Sequence, residues 1–170
     1  MNRIALAEIF AKTAHRAVGQ KRKYTGECYT VHTSHVAELV ESFGGSEEMI
    51  CAAHLHDVVE DTDIVIGDVE EVFGSDVASL VDWLTDVSKP EDGNRAVRKE
   101  KDRQHSAEAP AEAQTIKCCD LISNAASILP HDPSFATVYL KEMGLLLDAM
   151  TKAHPPARDA AHKVLEEGRK

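Results

Sequence analysis

Apolar residues recur along this chain at spacings of three and four, the repeat that gathers them on one side of a helix. The pattern predicts a helix over Arg3–Val18, with Ile4, Leu6, Ala7, Ile9, Phe10, Ala14 and Ala17 inward and Gly19 as its stop. Val36, Ala37, Leu39, Val40 and Phe43 predict a second helix over residues 34–43, with Thr33 or Ser34 as N-cap and Gly44-Gly45 as terminator. Ser46 is placed to cap a central helix. A short helix within Asp63–Phe73 ends at Gly74, and another covers Asp76–Val87 with Val77, Leu80, Val81 and Leu84 inward. Ser88–Asn94 reads as the clearest loop. Arg95–Arg103 is helical but strongly charged, with an apolar face too thin for a central core element; a mobile or covering role suits it. Pro110 opens a helix over Ala111–Leu129, Pro130–Pro133 breaks the chain, and helices over Ser134–Lys152 and 157–167 complete it. No repeat, low-complexity tract or internal boundary interrupts this order. The expectation is an all-α fold, a single compact helical bundle in one domain over residues 1–170.

The central helix carries the most informative stretch, Cys51–Thr62. On a helical wheel Cys51, Ala52, Leu55, Val58 and Val59 fall on one side, and His56, Asp57, Glu60 and Asp61 on the other. An imidazole and three carboxylates would thus share one face, with no Lys or Arg among them. Carboxylates at this density repel one another unless a cation lies between them, which points to a metal site with acid–base groups beside it. Taken alone, the segment reads equally well as an acidic surface helix with an incidental histidine.

Composition narrows the classes. A length of 170 residues and 43% hydrophobic content suit one soluble domain, and only 5% aromatics beside plentiful Ala, Leu and Val favour helix over sheet. A net charge of −10 argues against nucleic acid or an anionic membrane as partner. The first helix carries Glu8, Lys12 and Arg16, so no signal-peptide core is expected, and no apolar run is long enough to span a bilayer. Cys28, Cys51, Cys118 and Cys119 form no CxxC pair; small reduced thiols and a cytoplasmic location are expected. Against this acidity the basic stretch Lys21-Arg22-Lys23 stands out, although by itself it reads as a solvated loop. His32 by itself reads as a helix cap or surface group. Lys117, Asp120 and Asn124 make a polar stripe on one face of an otherwise apolar helix, which calls for partners or a purpose.

The order of these features resembles the HD-domain phosphohydrolases, and within them the hydrolase domain of bifunctional alarmone enzymes and the free-standing small alarmone hydrolases. Ala14-His15-Arg16 leads through Gly19–Glu27 to Tyr29-Thr30-Val31-His32; then come His56-Asp57-Val58-Val59-Glu60-Asp61-Thr62, Phe73-Gly74, Arg98-Lys99, and Ile116–Asp120 with Asn124. The resemblance spans about Ala14 to Leu145. It implies an HD-domain bundle with one manganese ion on His32, His56, Asp57 and Asp120. It implies Glu60 and Asp61 as catalytic acids that orient the attacking water, take its proton and return one to the leaving group. Arg22 and Lys23 would neutralise phosphate charge, with Arg98 and Lys99 as further phosphate contacts, and Asn124 and Tyr139 would meet the nucleoside. Cys28 and Thr33 stand where the family usually has prolines, His54 where it has leucine, and Cys118-Cys119 where it has an apolar pair. His54 reads as a packing variant, not a fifth ligand.

The chain ends where a hydrolase domain would, so a stand-alone hydrolase is expected. It would remove the 3′-pyrophosphate from a guanosine or adenosine alarmone and leave pyrophosphate and a 5′-phosphorylated nucleoside. The alternatives are an HD phosphohydrolase of another nucleotide and a non-catalytic nucleotide-binding sensor; intact Glu60 and Asp61 argue against the sensor. The expected partner is a small nucleotide, and the exposed faces of the last two helices suit a homodimer.

Overall fold

All regular elements among the described residues 2–170 of the computed structural model are helical, as the periodicity predicts; a single isolated bridge joins Lys21 and Cys28. No helix among them is long and apolar enough to cross a membrane. The backbone forms two compact units, Met1–Thr85 and Asp86–Lys170.

The first unit holds α1 (Arg3–Ala17), α2 (Thr30–Ser42), α3 (Glu47–Leu55), α4 (Val58–Asp61), α5 (Ile66–Phe73) and α6 (Ser75–Leu84). Asn2 caps α1 by accepting from the Ala5 amide, and Ser46 caps α3 by accepting from the Met49 amide. The α3 helix packs against α1, α2 and α6 and is buried on nearly every side, from Met49 to Leu55. Ala7, Ala11, Val36, Val40, Val69, Val77 and Val81 complete this core. Small residues on α1 and α3 let the helix backbones approach closely. The turn from α2 to α3 is equally tight. Gly44 adopts φ +77°, and a Cβ on Gly45 would meet Val40 Cγ1 at 2.5 Å. Arg3 ties the periphery, donating to the Phe73 carbonyl at 2.6 Å and pairing with Glu47 and Glu48.

The second unit holds a 3-10 turn (Pro90–Asp92), α7 (Arg95–Glu108), α8 (Ala111–His131), α9 (Pro133–Ala149) and α10 (Pro155–Gly168). Here α9 packs against α7, α8 and α10. Ile116, Cys118, Cys119, Leu140, Met143, Leu147, Ala157 and Ala161 form the core, and Asp102 is the only buried residue of α7, in keeping with its thin apolar face. Buried Gln114 donates to the Ser106 and Ala107 carbonyls and accepts from the Lys152 amide, tying three segments together.

Several expected boundaries move, each for a local reason. The second helix starts at Thr30, not at 34: the Val31 and His32 amides bond back to the Cys28 and Tyr29 carbonyls, so Thr33 is no N-cap and His32 lies inside the first turn. The central helix is not continuous through Thr62. It stops at Leu55, and α4 begins at Val58. At the break His56 Nδ1 faces the Ala53 carbonyl at 2.8 Å, and Asp57 adopts φ −101°. The helix predicted to reach Val87 ends at Leu84, because the Val87 and Ser88 amides donate to Asp102 instead. Pro130 does not break α8; it sits in the last turn, and the helix ends at His131.

Candidate metal centre and charged cavity

In the first unit His32, His56 and Asp57 bring their ligand atoms within 4.8 Å of one another. His32 comes from the first turn of α2; His56 and Asp57 come from the break between α3 and α4. The break is what turns both neighbours inward. His32 and His56 are 2% and 1% exposed, so neither is a surface histidine. His56 Nδ1 lies 2.8 Å from the Ala53 carbonyl and must carry the proton it donates, which leaves Nε2 facing Asp57 Oδ2 at 3.0 Å. His32 Nε2 lies 3.7 Å from the same oxygen, and the Tyr29 hydroxyl donates to it at 2.6 Å. A bare imidazole nitrogen and a carboxylate oxygen at 3.0 Å are mutually repulsive unless positive charge lies between them. Two buried imidazoles and a carboxylate, with one imidazole fixed by a carbonyl behind it, form a donor set that fits a borderline-to-hard divalent cation.

The two acids of the HDxxED stretch lie on the single turn of α4 that follows. Glu60 and Asp61 are exposed as residues. Loss of solvent around the Asp61 carboxyl pushes it above the usual carboxylate range, against the donation it receives from Gln20 Nε2 at 2.8 Å. Gln20 in turn meets His15 Nδ1 at 2.6 Å. The basic loop divides in two. The Arg22 guanidinium lies 5.8 Å over the ring of Tyr29, the residue that bonds Asp57, whereas Lys23 lies 4.9 Å over the Tyr24 ring. Buried His54 is not part of this cluster, and burial holds its imidazole below the usual histidine value.

The second unit contains a cavity of about 590 Å³, the size of a small-molecule site. Lys99, Asp120, Asn124 and Tyr139 all line it; Arg98 does not, and its half-buried side chain leaves Nε without a hydrogen-bond partner. Lys117 reaches Asp120 Oδ2 at 3.1 Å, and Asn124 donates to Asp120 Oδ1 at 2.7 Å. The Tyr139 hydroxyl donates to the Leu121 carbonyl, so the residue offers the cavity its ring. Burial would raise the Asp86 carboxyl, but Lys117 and Lys99 outweigh it and hold it below the ordinary range. Lys99 Nζ is 3.0 Å from Asp86. Arg95 and Glu142 pair across α7 and α9 at 2.7 Å.

Sequence reading missed Tyr29, Gln20 and His15 as site-supporting residues, and Asp86 and Asp102 as members of the charged network. Tyr29 sits three residues before His32 and could have been sought as its neighbour on a helix face. Gln20 and Asp61 are 41 residues apart, and no local pattern joins them.

The model of the HD domain matches residues 7–118. A Synechocystis protein named probable guanosine-3′,5′-bis(diphosphate) 3′-pyrophosphohydrolase is 48% identical over 86 residues, 51% of this chain but 11% of its own length. An Aquifex aeolicus protein, named guanosine-3′,5′-bis(diphosphate) 3′-pyrophosphohydrolase, is likewise spanned over only 11% of its length. The Drosophila melanogaster guanosine-3′,5′-bis(diphosphate) 3′-pyrophosphohydrolase MESH1 is 35% identical over 128 residues, covering 74% of this chain and 69% of that protein. A solved structure of a metazoan ortholog of SpoT, described as hydrolysing ppGpp, superposes with a TM-score of 0.86 at 24% identity, over 98% of this chain and 96% of the other. That likeness concerns the fold.

Proposed function

We propose that this chain, which belongs to the HD domain family, is a divalent-metal-dependent phosphohydrolase that removes the 3′-pyrophosphate from a guanosine or adenosine alarmone. The observation that carries the reading is the buried cluster of His32, His56 and Asp57, with Tyr29 holding the carboxylate from behind. The ligand set proposed is these three with Asp120, whose assignment rests on the family resemblance, and the ion proposed is a single Mn2+. Names of relatives add support: the Drosophila and Synechocystis proteins are both named 3′-pyrophosphohydrolases of guanosine bis(diphosphate).

A divalent cation held by His32, His56 and Asp57 would supply positive charge at the phosphoryl group and lower the pKa of a coordinated water. The rest falls to side chains. Glu60 and Asp61, one turn beyond the ligands, take the proton of the attacking water and return one to the departing oxygen. Solvent loss that raises Asp61 suits it to carry a proton, since a raised carboxyl exchanges its proton nearer neutral pH. Arg22, stacked on Tyr29, answers the phosphate charge, with Lys23 on the same loop. Lys99, Asn124 and Tyr139 share one cavity, which supports assigning them to a single substrate; Arg98, outside that lining, is proposed only as a peripheral phosphate contact.

The test compares pyrophosphate release from guanosine 3′-pyrophosphates, adenosine 3′-pyrophosphates and an ordinary nucleoside triphosphate, with purified protein and Mn2+. Release from one or both alarmones, absent from the triphosphate, is expected. Turnover of the triphosphate alone would replace the substrate assignment. Binding of all three without release would turn the protein into a sensor.

A further inference from the structure

Three side chains from three elements of the first unit form one line of hydrogen bonds. Asp61 ends α4, Gln20 follows α1 in the loop, and His15 lies in α1. Gln20 Nε2 meets Asp61 Oδ2 at 2.8 Å, and Gln20 Oε1 meets His15 Nδ1 at 2.6 Å. The protons can be assigned from chemistry alone. An ionised carboxylate only accepts, so the amide nitrogen of Gln20 must face it. The amide oxygen then faces His15, so His15 Nδ1 must carry a proton. His15 is fully buried, and its Nε2 has no hydrogen-bond partner. The ring is therefore neutral and locked in one tautomer, with burial pressing it the same way.

A buried imidazole with one ring nitrogen left unmatched costs stability, and its return is a fixed donor aimed at Gln20. Glutamine is flexible and here sits at the start of an exposed loop, while α4 is a single turn that cannot hold itself. Anchoring the glutamine on α1 turns a mobile amide into a rigid one. We infer that His15 and Gln20 are positioning residues: His15 fixes the Gln20 amide, and Gln20 holds the Asp61 carboxylate in the orientation proton transfer requires. This inference rests on the proposed hydrolase function.

The experiment measures kcat, KM and bound metal for Gln20→Met, which keeps the reach of the side chain and removes both hydrogen bonds. The expected result is a loss of about 10- to 100-fold in kcat, the effect of misplacing a proton-transfer group, with KM within about twofold and metal content unchanged. His15→Phe should lower kcat similarly, and His15→Asn, whose amide restores a donor near the Nδ1 position, should recover most of it. Unchanged kcat in Gln20→Met, or a rise in KM alone, would overturn the inference while the wild type's turnover leaves the functional reading standing. A wild type silent on alarmones would sink the functional reading and this role with it. The 15N shifts of the His15 ring read the tautomer without any turnover: a proton on Nδ1 is expected, and a proton on Nε2 alone would contradict the assignment.

Discussion

In the first unit Asp57 lies among two imidazoles and a phenol, whereas in the second Asp86 and Asp120 lie against the amines of Lys99 and Lys117. Both regions shield carboxylates from solvent at least in part, and each surrounds them differently. An ammonium group supplies its own positive charge, and Lys117 and Lys99 hold the Asp86 carboxyl below its ordinary range. An imidazole nitrogen that carries no proton supplies a lone pair, so the cluster around Asp57 is a donor set suited to a cation from outside. The same residue type therefore means something different in each region. What decides is the partner.

Removing one acid without disturbing the cluster sharpens the contrast most. Glu60→Gln is expected to lower kcat by about 10²- to 10⁴-fold, the usual contribution of general acid–base catalysis, while bound metal stays at the wild-type level. Paired turnover and metal analysis read both. A loss of metal in this variant would move Glu60 from proton transfer to ligation. Tyr29→Phe removes the hydroxyl that holds Asp57 and keeps the ring under Arg22. A fall of about 10- to 100-fold in metal affinity follows from losing such an outer contact, measurable by competition with a chelator.

Lys117→Met probes the other region. It leaves Asp86 and Asp120 with less compensating charge and should cost about 1–3 kcal/mol in denaturant unfolding at pH 7, less than for a fully buried pair because the lysine side chain is 19% exposed. The pH dependence has a definite sign. Despite burial, Lys117 and Lys99 hold the folded Asp86 below its ordinary value, so its contribution is complete above about pH 4 and fades as pH falls through the depressed folded value. Wild type and variant should therefore differ at pH 7 and converge in acid. A difference that persists in acid would assign the loss to packing.

The smallest effect is chemical. Burial pushes the Cys51 thiol up to about 11 and those of Cys118 and Cys119 up to about 12, while Thr30 and then Arg16 lower the half-exposed Cys28. Maleimide at neutral pH should label Cys28 first and leave the other three until unfolding. Early labelling of Cys118 or Cys119 would mean that the second unit opens readily.

The helices were legible because period and punctuation agree. Gly19, Gly44 and Gly74 close helices, Ser46 caps α3, and the alanines of α1 and α3 lie where a close-packed core needs them. The break at His56-Asp57 was not legible, since a helical wheel over Cys51–Thr62 already groups the polar residues. Only the bond from the His56 ring to the Ala53 carbonyl reveals that the chain leaves the helix there. His32 needed the same correction: read as a residue before a helix, it lies within one. At the candidate site, the HDxxED spacing displayed the two proposed acids and two of the three clustered residues, because they are neighbours in sequence. Tyr29, Gln20 and Asp86 act through contacts distant in sequence, or on an element whose start was misread.

The most direct test of the metal centre is pyrophosphate release from a guanosine 3′-pyrophosphate by chelator-treated protein as Mn2+ is returned. The account predicts no release from the stripped protein and recovery that saturates at one ion per chain. It also predicts a loss of ~10³-fold or more in Asp57→Ala, since the charge lost at the phosphoryl group is worth several kcal/mol. Release that survives chelation, or an Asp57→Ala variant that works at the wild-type rate, would contradict it.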